Sequence, residues 1–312
     1  MRWQGRAESS NIEDRRGQGG GFGGGGLGGG FGGGLGGGGL GSNPFGTGGG
    51  IPIPVGRGGF GSIVIIIIFV LIAMAFGINP LSLLTGDSTT SNTSVLPPTQ
   101  GASEDDLRKF VGVIVKDTED YWTNYFQAHG GQPYTPPKVV LYTDQTASGC
   151  GTADKSAGPF YCPDDQKVYI DLSFYQELRD QFGAPGDFAQ AYVIAHEVGH
   201  HVQDVLGILP KFNDRRQQMS EDQANAYSVK IELQADCFAG MWGKGEFDAG
   251  YLEDGDTQEA INAANQIGDD TLTHGSISPR QYTHGTSAQR MQWFKTGLQA
   301  TDVSQCDTGL PK

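Results

Sequence analysis

Two histidines and a glutamate lie close together in the sequence HEVGH at residues 196–200. Residues four apart on a helix of about 3.6 residues per turn point to nearly the same side, so His196 and His200 could bind one metal ion. Glu197 lies about 100° further round, where its carboxylate could reach a water molecule on that metal without being a ligand. Exposed helices also match this pattern by chance. Here the neighbouring residues are mostly apolar, and buried imidazoles need polar partners, which favours a metal site.

Two acidic residues further along the chain could complete such a site. Glu232 and Asp236 lie four residues apart in a largely apolar stretch. Catalytic zinc takes three protein ligands and leaves a fourth position for water, so Glu232 is the best candidate for the third ligand. Asp236, one turn later, would accept a hydrogen bond from a ligand histidine and fix its orientation. The alternative is that both carboxylates lie on an exposed face of the helix.

Apolar periodicity and capping residues place these candidates on helices. The motif helix is predicted at 187–207, with Asp187 as its N-cap and Gln190 in the capping-box position. Glu232 and Asp236 lie on a helix predicted at 220–243. Three further helices are predicted from the same signals, at 105–126, 256–272 and 286–298.

Strand-forming residues between the first predicted helix and the motif helix indicate a small β-sheet. They lie at 138–143 and 167–172, and residues 160–161 could add a third short strand. The predicted fold class is therefore α+β, with a mainly helical domain at 104–310 that contains the candidate site.

The first 60 residues differ in composition from the rest of the chain. Of the 51 glycines, 27 lie between residues 17 and 61, mostly in GGGF and GGGL repeats. Such a tract cannot form a core, so residues 1–60 are predicted to be a disordered, glycine-rich tail.

An uncharged apolar segment follows the glycine tract. Residues 61–84 are long enough for a single transmembrane helix. Arginines precede this segment and acidic residues follow it, which predicts a cytoplasmic N-terminus and an extracytoplasmic catalytic domain. Residues 85–103, rich in Ser, Thr and Pro, are predicted to form a linker between the membrane and the domain.

Four cysteines, all after the apolar segment, agree with an oxidising compartment. We expect disulfides Cys150–Cys162 and Cys237–Cys306, although three pairings are possible. A cysteine zinc site is the alternative, but the sequence contains no Cys-x-x-Cys pair.

The charge of the chain argues against nucleic acid as a partner. The formal net charge is −14, and residues 1–60 carry five arginines and three acidic residues, so the remainder carries −16. Binding of nucleic acid depends on Lys and Arg neutralising phosphates, which an acidic domain does not provide.

Three segments resemble the putative neutral zinc metallopeptidase family of bacteria, single-pass membrane proteins of the gluzincin class. They are HEVGHH at 196–201, ELQADCFAG at 232–240 and THGTSAQR at 283–290. The resemblance extends over 100–298 and includes the arginine-rich start, the glycine tract and the apolar segment. It implies a zincin-like catalytic domain in the bacterial cytoplasmic membrane, with one Zn²⁺ per chain.

The resemblance also implies roles for individual residues. His196, His200 and Glu232 would be the zinc ligands, with Asp236 hydrogen-bonded behind them. By analogy with membrane metalloproteases that have a His-Pro pair and an arginine six residues after the histidine, His284 would stabilise the oxyanion and Arg290 would orient His284 or a nearby carboxylate. This sequence has Gly285 where those proteins have proline.

The predicted function is hydrolysis of peptide bonds in a peptide or protein substrate. Glu197 would act as general base toward a zinc-bound water and then as proton donor to the leaving amine. The alternative is an inactive zinc-binding scaffold or interaction protein anchored in the membrane. His201 and His274 are expected to be structural or surface residues. The sequence does not fix the substrate, the oligomeric state, or the choice between endopeptidase and exopeptidase.

Overall fold

The computed structural model describes residues 1–17, 103–130 and 133–310. The glycine tract, the predicted transmembrane segment at 61–84 and nearly all of the predicted linker lie outside these residues. Within the three described ranges, no helix has the length and apolar character needed to cross a membrane. The membrane span therefore stays a prediction.

The described residues form an α+β structure in which helices predominate, which confirms the α+β part of the predicted fold class. Their α-helices are α1 Glu104–Ala128, α2 Ser173–Asp180, α3 Asp187–Val205, α4 Ile208–Arg216, α5 Glu221–Asp248, α6 Asp256–Gln266, α7 Asp269–Leu272 and α8 Ser287–Gly297. Their strands are β1 Ile12–Asp14, β2 Lys138–Tyr142, β3 Gln145–Ser148, β4 Gly151–Asp154, β5 Phe160–Cys162 and β6 Lys167–Asp171.

Four of the strands form one mixed sheet in the order β1-β2-β6-β5. The pairs β1–β2 and β2–β6 are parallel, whereas β5 runs antiparallel to β6 at one end of the sheet. Strands β3 and β4 form a separate antiparallel hairpin. The predicted strands at 138–143, 160–161 and 167–172 are confirmed, but the sequence reasoning missed β1 and the hairpin.

The N-terminal residues belong to this sheet. Strand β1 pairs with β2, with Ile12 opposite Val139 and Asp14 opposite Leu141. The prediction that residues 1–60 are a disordered tail is therefore wrong for residues 1–17, because long-range backbone and ionic contacts order a segment that has no apolar periodicity of its own. Residues 18–60 lie outside the described part of the chain.

The main core lies between the sheet and the helices α1, α3 and α5. Both central strands are buried, and their apolar side chains join one cluster with residues such as Ile114 of α1, Ile194 of α3 and Trp242 of α5. Continuous apolar runs in β2 and β6 are typical of parallel strands that are covered on both faces. Helix α3, which contains HEVGH, is thus a core helix fixed by packing along most of its length.

Small residues allow the helices around the candidate site to approach closely. A Cβ atom on Gly199 would lie 3.1 Å from the carbonyl oxygen of Ala235, so α3 and α5 meet within the HEVGH motif itself. On the other side of α5, a Cβ atom on Gly240 or Gly297 would overlap backbone atoms of the facing helix. These contacts hold α3 and α8 against α5.

The helix boundaries differ from the predicted ones in a few places. Helix α3 begins after Gly186, whose φ of 120° suits glycine, and Asp187 is its first helical residue without a side-chain capping bond. The predicted N-cap and capping box at Asp187 and Gln190 are therefore wrong. Ser220 and Gln223 do form a capping box at the start of α5, which continues to Asp248. The helix predicted at 256–272 is divided into α6 and α7.

Both predicted disulfides are confirmed. Cys150–Cys162 joins the turn of the β3–β4 hairpin to strand β5, and Cys237–Cys306 joins α5 to the C-terminal residues. No described cysteine is free.

Candidate metal centre

Helices α3 and α5 bring the three predicted zinc ligands together. Nε2 of His196 lies 3.1 Å from one carboxylate oxygen of Glu232, and Nε2 of His200 lies 3.6 Å from the other. Ligands bonded to a tetrahedral zinc at about 2.1 Å are about 3.4 Å from one another, so these separations suit a single ion. Two imidazoles and one carboxylate are also a donor set that zinc accepts. The residues therefore fit the metal that the motif predicts.

The candidate site offers three protein ligands. In the described ranges, the possible ligand atoms at this site belong to His196, His200 and Glu232. They all lie within 4.8 Å of one another. Structural zinc sites are almost always closed by four protein ligands, whereas catalytic sites keep one position for water or substrate. This arrangement is typical of a catalytic centre.

Asp236 lies directly behind the site and is completely buried. Its carboxylate accepts hydrogen bonds from His196 Nδ1 at 2.9 Å, from Tyr192 Oη at 2.5 Å, and from Arg290 Nε and Nη2 at 2.9 Å each. In the neutral imidazole, Nδ1 carries the proton of this bond, and the unprotonated Nε2 faces Glu232. This is the tautomer that a metal ligand requires. Arg290, 3% exposed, is neutralised by this carboxylate.

A network of buried amides fixes the second histidine. Nδ1 of His200 lies 2.9 Å from Oε1 of Gln203, and Nε2 of Gln203 donates to the carbonyl of Ile231 and to Oε1 of Gln234. Nε2 of Gln234 in turn donates to the carbonyl of Cys306. Sequence reasoning did not single out Gln203, although its position three residues after His200 places both on neighbouring parts of one helix face.

The charges of the metal-free site favour protonated histidine. Burial alone would lower the pKa of His196, but the carboxylates of Asp236 and Glu232 raise it to about 9. Burial alone would raise the pKa of Glu232, but the adjacent imidazoles of His200 and His196 hold it well below its usual range. A metal ion that binds here must therefore displace a proton from His196.

Glu197 is buried beside the ligands without being one of them. The backbone of Tyr161, in the edge strand β5, lies near this carboxylate. Burial raises the pKa of Glu197 above its usual value, against the opposing influence of His196 and His200. A raised pKa suits a carboxylate that accepts and returns a proton near neutral pH.

His284 lies in the loop before α8 and interacts electrostatically with Glu232. Its Nδ1 lies 3.0 Å from Oδ1 of Asp269, and Oδ2 of Asp269 accepts the backbone N–H groups of Thr283, His284 and Gly285. Burial alone would lower the pKa of His284, but Asp269 raises it above the ordinary value. Sequence reasoning missed Asp269, because nothing local connects it with a histidine in another loop.

The loop around His284 differs from the His-Pro pattern to which the sequence was compared. Gly285 has a φ of 89°, which proline cannot adopt. Arg290, six residues after His284, contacts the carboxylate of Asp236, which was one of the two partners predicted for it. Its role is to balance a buried charge behind His196.

The other described histidines have structural or surface positions. His201 is buried, and its ring nitrogens contact the hydroxyl of Tyr161 and the carbonyl of Thr135. His274 is exposed and has a positive φ of 50°. His129 is exposed at the end of α1.

A second acidic group lies at the start of α3 and α6, where Asp187, Asp256 and Glu259 approach one another. The amino group of Met1 lies 2.6 Å from Asp187 Oδ1 and 3.2 Å from Asp256 Oδ2. These carboxylates therefore already have a cation between them.

The fold and the site together define a class: an α+β protein with an HExxH helix that faces a glutamate on a second helix. The family model described as putative neutral zinc metallopeptidase matches residues 1–309. The chain belongs to this family. No solved structure matches it.

The chain is also similar to proteins that have no described activity. It is 45% identical over 313 residues to uncharacterized protein YpfJ of Escherichia coli strain K12, covering 99% of this chain and 98% of that protein. It is 38% identical over 257 residues to uncharacterized protein Rv2575 of Mycobacterium tuberculosis strain H37Rv, covering 76% of this chain and 84% of that protein.

Proposed function

We propose that the protein is a zinc-dependent peptidase. The observation that carries the proposal is a three-ligand site with a buried carboxylate beside it, Glu197, that is not among the ligands. A structural zinc site would have no need for this carboxylate and would be closed by a fourth protein ligand. Membership of the zinc metallopeptidase family supports the same function.

In this proposal, three residues bind the metal and a fourth transfers protons. His196, His200 and Glu232 would hold one zinc ion, which polarises a carbonyl group and acidifies water at neutral pH. Glu197 accepts the proton of the attacking water and then delivers it to the leaving amine.

His284 and Asp269 would stabilise the negative charge that develops on the carbonyl oxygen. Asp269 accepts a hydrogen bond from Nδ1 of His284 and raises the pKa of this imidazole, which favours the protonated form in which Nε2 is a donor. A fixed donor aimed at a developing oxyanion is among the largest contributions to catalysis of acyl transfer. Asp236 and Arg290 take no part in proton transfer and keep His196 oriented.

The edge strand β5 is where an extended peptide substrate could bind. Among the described strands, β5 pairs with β6 alone, but its residues Phe160, Tyr161 and Cys162 are buried, so a peptide could add to the other edge only if the residues that cover it move. The backbone of Tyr161 in this strand lies near the carboxylate of Glu197. A peptide paired with β5 would therefore lie beside Glu197 and the metal ligands.

The two disulfides support an oxidising, extracytoplasmic compartment for the catalytic domain. Attachment to the bacterial cytoplasmic membrane by residues 61–84 is part of the proposal and follows from sequence alone. The acidic charge of the chain remains the argument against a nucleic-acid partner.

The test compares the zinc-loaded protein with Glu197→Gln on a diverse peptide library read by mass spectrometry. We expect Glu197→Gln to keep its zinc and to lose about 10²- to 10⁴-fold in cleavage rate, the usual contribution of a general base. Glu177→Gln, a partly buried glutamate of α2, is the matched control and should cleave as the wild type does.

Two results would contradict the proposal. Zinc-loaded wild type that cleaves nothing in the library would favour the alternative, an inactive zinc-binding scaffold. Equal cleavage by Glu197→Gln and wild type would show that Glu197 is not the base.

A further inference from the structure

Residues 6–16 dock on the domain through their backbone as well as their side chains. The amide of Ser9 donates to the carbonyl of Gly112 at 2.8 Å, the amide of Val139 donates to Asn11 at 2.9 Å, and the amide of Arg15 donates to Leu141 at 2.7 Å. These bonds bracket strand β1 and fix its register on β2. A segment held in one register is an integral part of the sheet.

One arginine of this segment enters a buried acidic site between two helices. The guanidinium of Arg6 lies 2.6 Å from Asp117 of α1 and 3.3 Å from Glu246 of α5, and it covers the ring of Tyr251. Burial raises the pKa of Asp117 to about 8, and the charge of Glu246 adds to this rise while Arg6 opposes it. Burial raises the pKa of Glu246 as well. Without Arg6, two carboxylates would be buried with no cation between them, which is costly.

Polar contacts continue along the rest of the segment. Ser9 and Asn11 both donate to one oxygen of Glu119, at 2.6 and 2.7 Å. The segment also contributes acidic partners, with Glu8 on Arg108 at 2.7 Å and Glu13 on Lys167 at 2.9 Å. Arg15 reaches the β3–β4 hairpin, where it donates to the carbonyl of Ala147 at 2.8 Å. The complementarity therefore extends over two helices, the sheet and the hairpin.

We propose that α1, α5 and β2 form a docking surface for residues 6–16 of the same chain, and that this docking keeps residues 1–17 and 103–310 in one compartment. A single crossing between residues 18 and 102 would separate the two parts. A shared compartment differs from the cytoplasmic N-terminus and extracytoplasmic domain predicted from the sequence, and it is independent of the proposed peptidase activity.

Labelling of single cysteines in the full-length protein tests the shared compartment. Ser10 and Ser276 are both exposed, one in the docked segment and one in the domain, and the described native cysteines are paired in disulfides. We expect Ser10→Cys and Ser276→Cys to react alike with a membrane-impermeant maleimide in intact cells, either both directly or both only after permeabilisation. Labelling of one from outside and of the other only after permeabilisation would overturn the proposal.

Hydrogen exchange on the full-length protein tests the docking itself. We expect Arg6→Gln to speed exchange at the amides of Arg15 and Val139 at least tenfold, because Asp117 and Glu246 lose their cation. Arg2→Gln, whose side chain is 68% exposed, is the matched control and should leave both amides protected. The milder Glu8→Gln should give a smaller increase if Arg6→Gln fails to fold. Unchanged exchange in both Arg6→Gln and Glu8→Gln would refute the docking.

Discussion

Asp236 contributes both to the stability of the fold and to the orientation of a proposed metal ligand, and the substitution Asp236→Asn should affect both. Asparagine keeps the shape of the side chain but removes the charge that balances Arg290 and accepts from His196. Arg290 is 3% exposed, so it would remain as a buried cation without its counter-ion. His196 would lose the anionic acceptor that fixes its ring.

The magnitudes follow from burial. Removing one partner of a buried ion pair costs about 3–5 kcal/mol. For a domain of this size, each kcal/mol lowers the unfolding midpoint by about 2–4 °C, so we expect a decrease of roughly 6–20 °C. Replacing the anionic acceptor behind His196 by a neutral amide should weaken zinc binding by about 10- to 100-fold.

A double variant, Asp236→Asn with Arg290→Met, distinguishes the two effects. It removes both charges, and replacing both members of a buried pair is often close to neutral, so we expect most of the lost stability to return. Zinc affinity should stay low, because His196 still lacks a carboxylate acceptor. Thermal unfolding of the metal-free proteins gives the first quantity, and competition titration with a zinc chelator gives the second.

Either of two outcomes would refute this reasoning. A double variant as unstable as Asp236→Asn would show that the unpaired guanidinium is not the source of the lost stability. Recovery of wild-type zinc affinity in the double variant would show that Asp236 does not orient His196 through its charge.

Three further predictions concern the same site. Gln203→Leu removes the partner of His200 Nδ1 and should weaken zinc binding about tenfold in the competition titration. Zinc affinity should fall as the pH is lowered below about 9, by about tenfold per pH unit, because the ion must displace the proton that His196 holds in the empty site; calorimetry in buffers of different ionisation enthalpy counts that proton. Asp269→Asn should lower kcat by up to about 10²-fold with zinc content unchanged, because His284 loses the carboxylate that binds its Nδ1 and favours its protonated form.

Controls and contrary results for these three predictions are simple. Gln217→Leu, at an exposed glutamine, should leave zinc affinity unchanged, and equal effects of the two glutamine variants would count against the amide network. Zinc affinity independent of pH would contradict proton displacement from His196. Loss of zinc in Asp269→Asn would mean that Asp269 supports the ligands and not His284.

The metal-free protein has the opposite dependence on pH. The raised pKa of His196 favours the folded state below the unfolded value of about 6.5. This stability should be lost as the pH rises through about 9, where His196 releases its proton. Zinc-loaded protein should not lose stability over that range, and unfolding midpoints of both forms between pH 6 and pH 10 test the difference.

Local helix geometry explains how much of the site could be predicted. The spacing of four residues between His196 and His200, and again between Glu232 and Asp236, was enough to place four side chains on two facing helix surfaces. Gln203 lies close to His200 on the same helix but carries no charge. Its residue type therefore did not indicate that it belongs to the site. Boundaries and caps depended on φ values such as that of Gly186, which residue types alone do not determine.

Contacts between distant parts of the chain account for what was missed. Asp269 and His284 meet because the loop before α8 turns at Gly285, which has a positive φ. Arg290 reaches Asp236 because α8 packs closely on α5. Strand β1 is only three residues long, and its order comes from charge pairs and strand pairing with residues more than a hundred positions away. No periodicity in residues 1–17 could have indicated these contacts.

Zinc-edge anomalous diffraction from crystals of the zinc-loaded protein tests the central claim most directly. We predict one zinc ion at about 2.0–2.2 Å from Nε2 of His196, Nε2 of His200 and the carboxylate of Glu232, with the fourth position not filled by the protein. A zinc ion with Glu197, His284 or another side chain as fourth ligand would be a closed structural site and would contradict the account, as would zinc bound elsewhere.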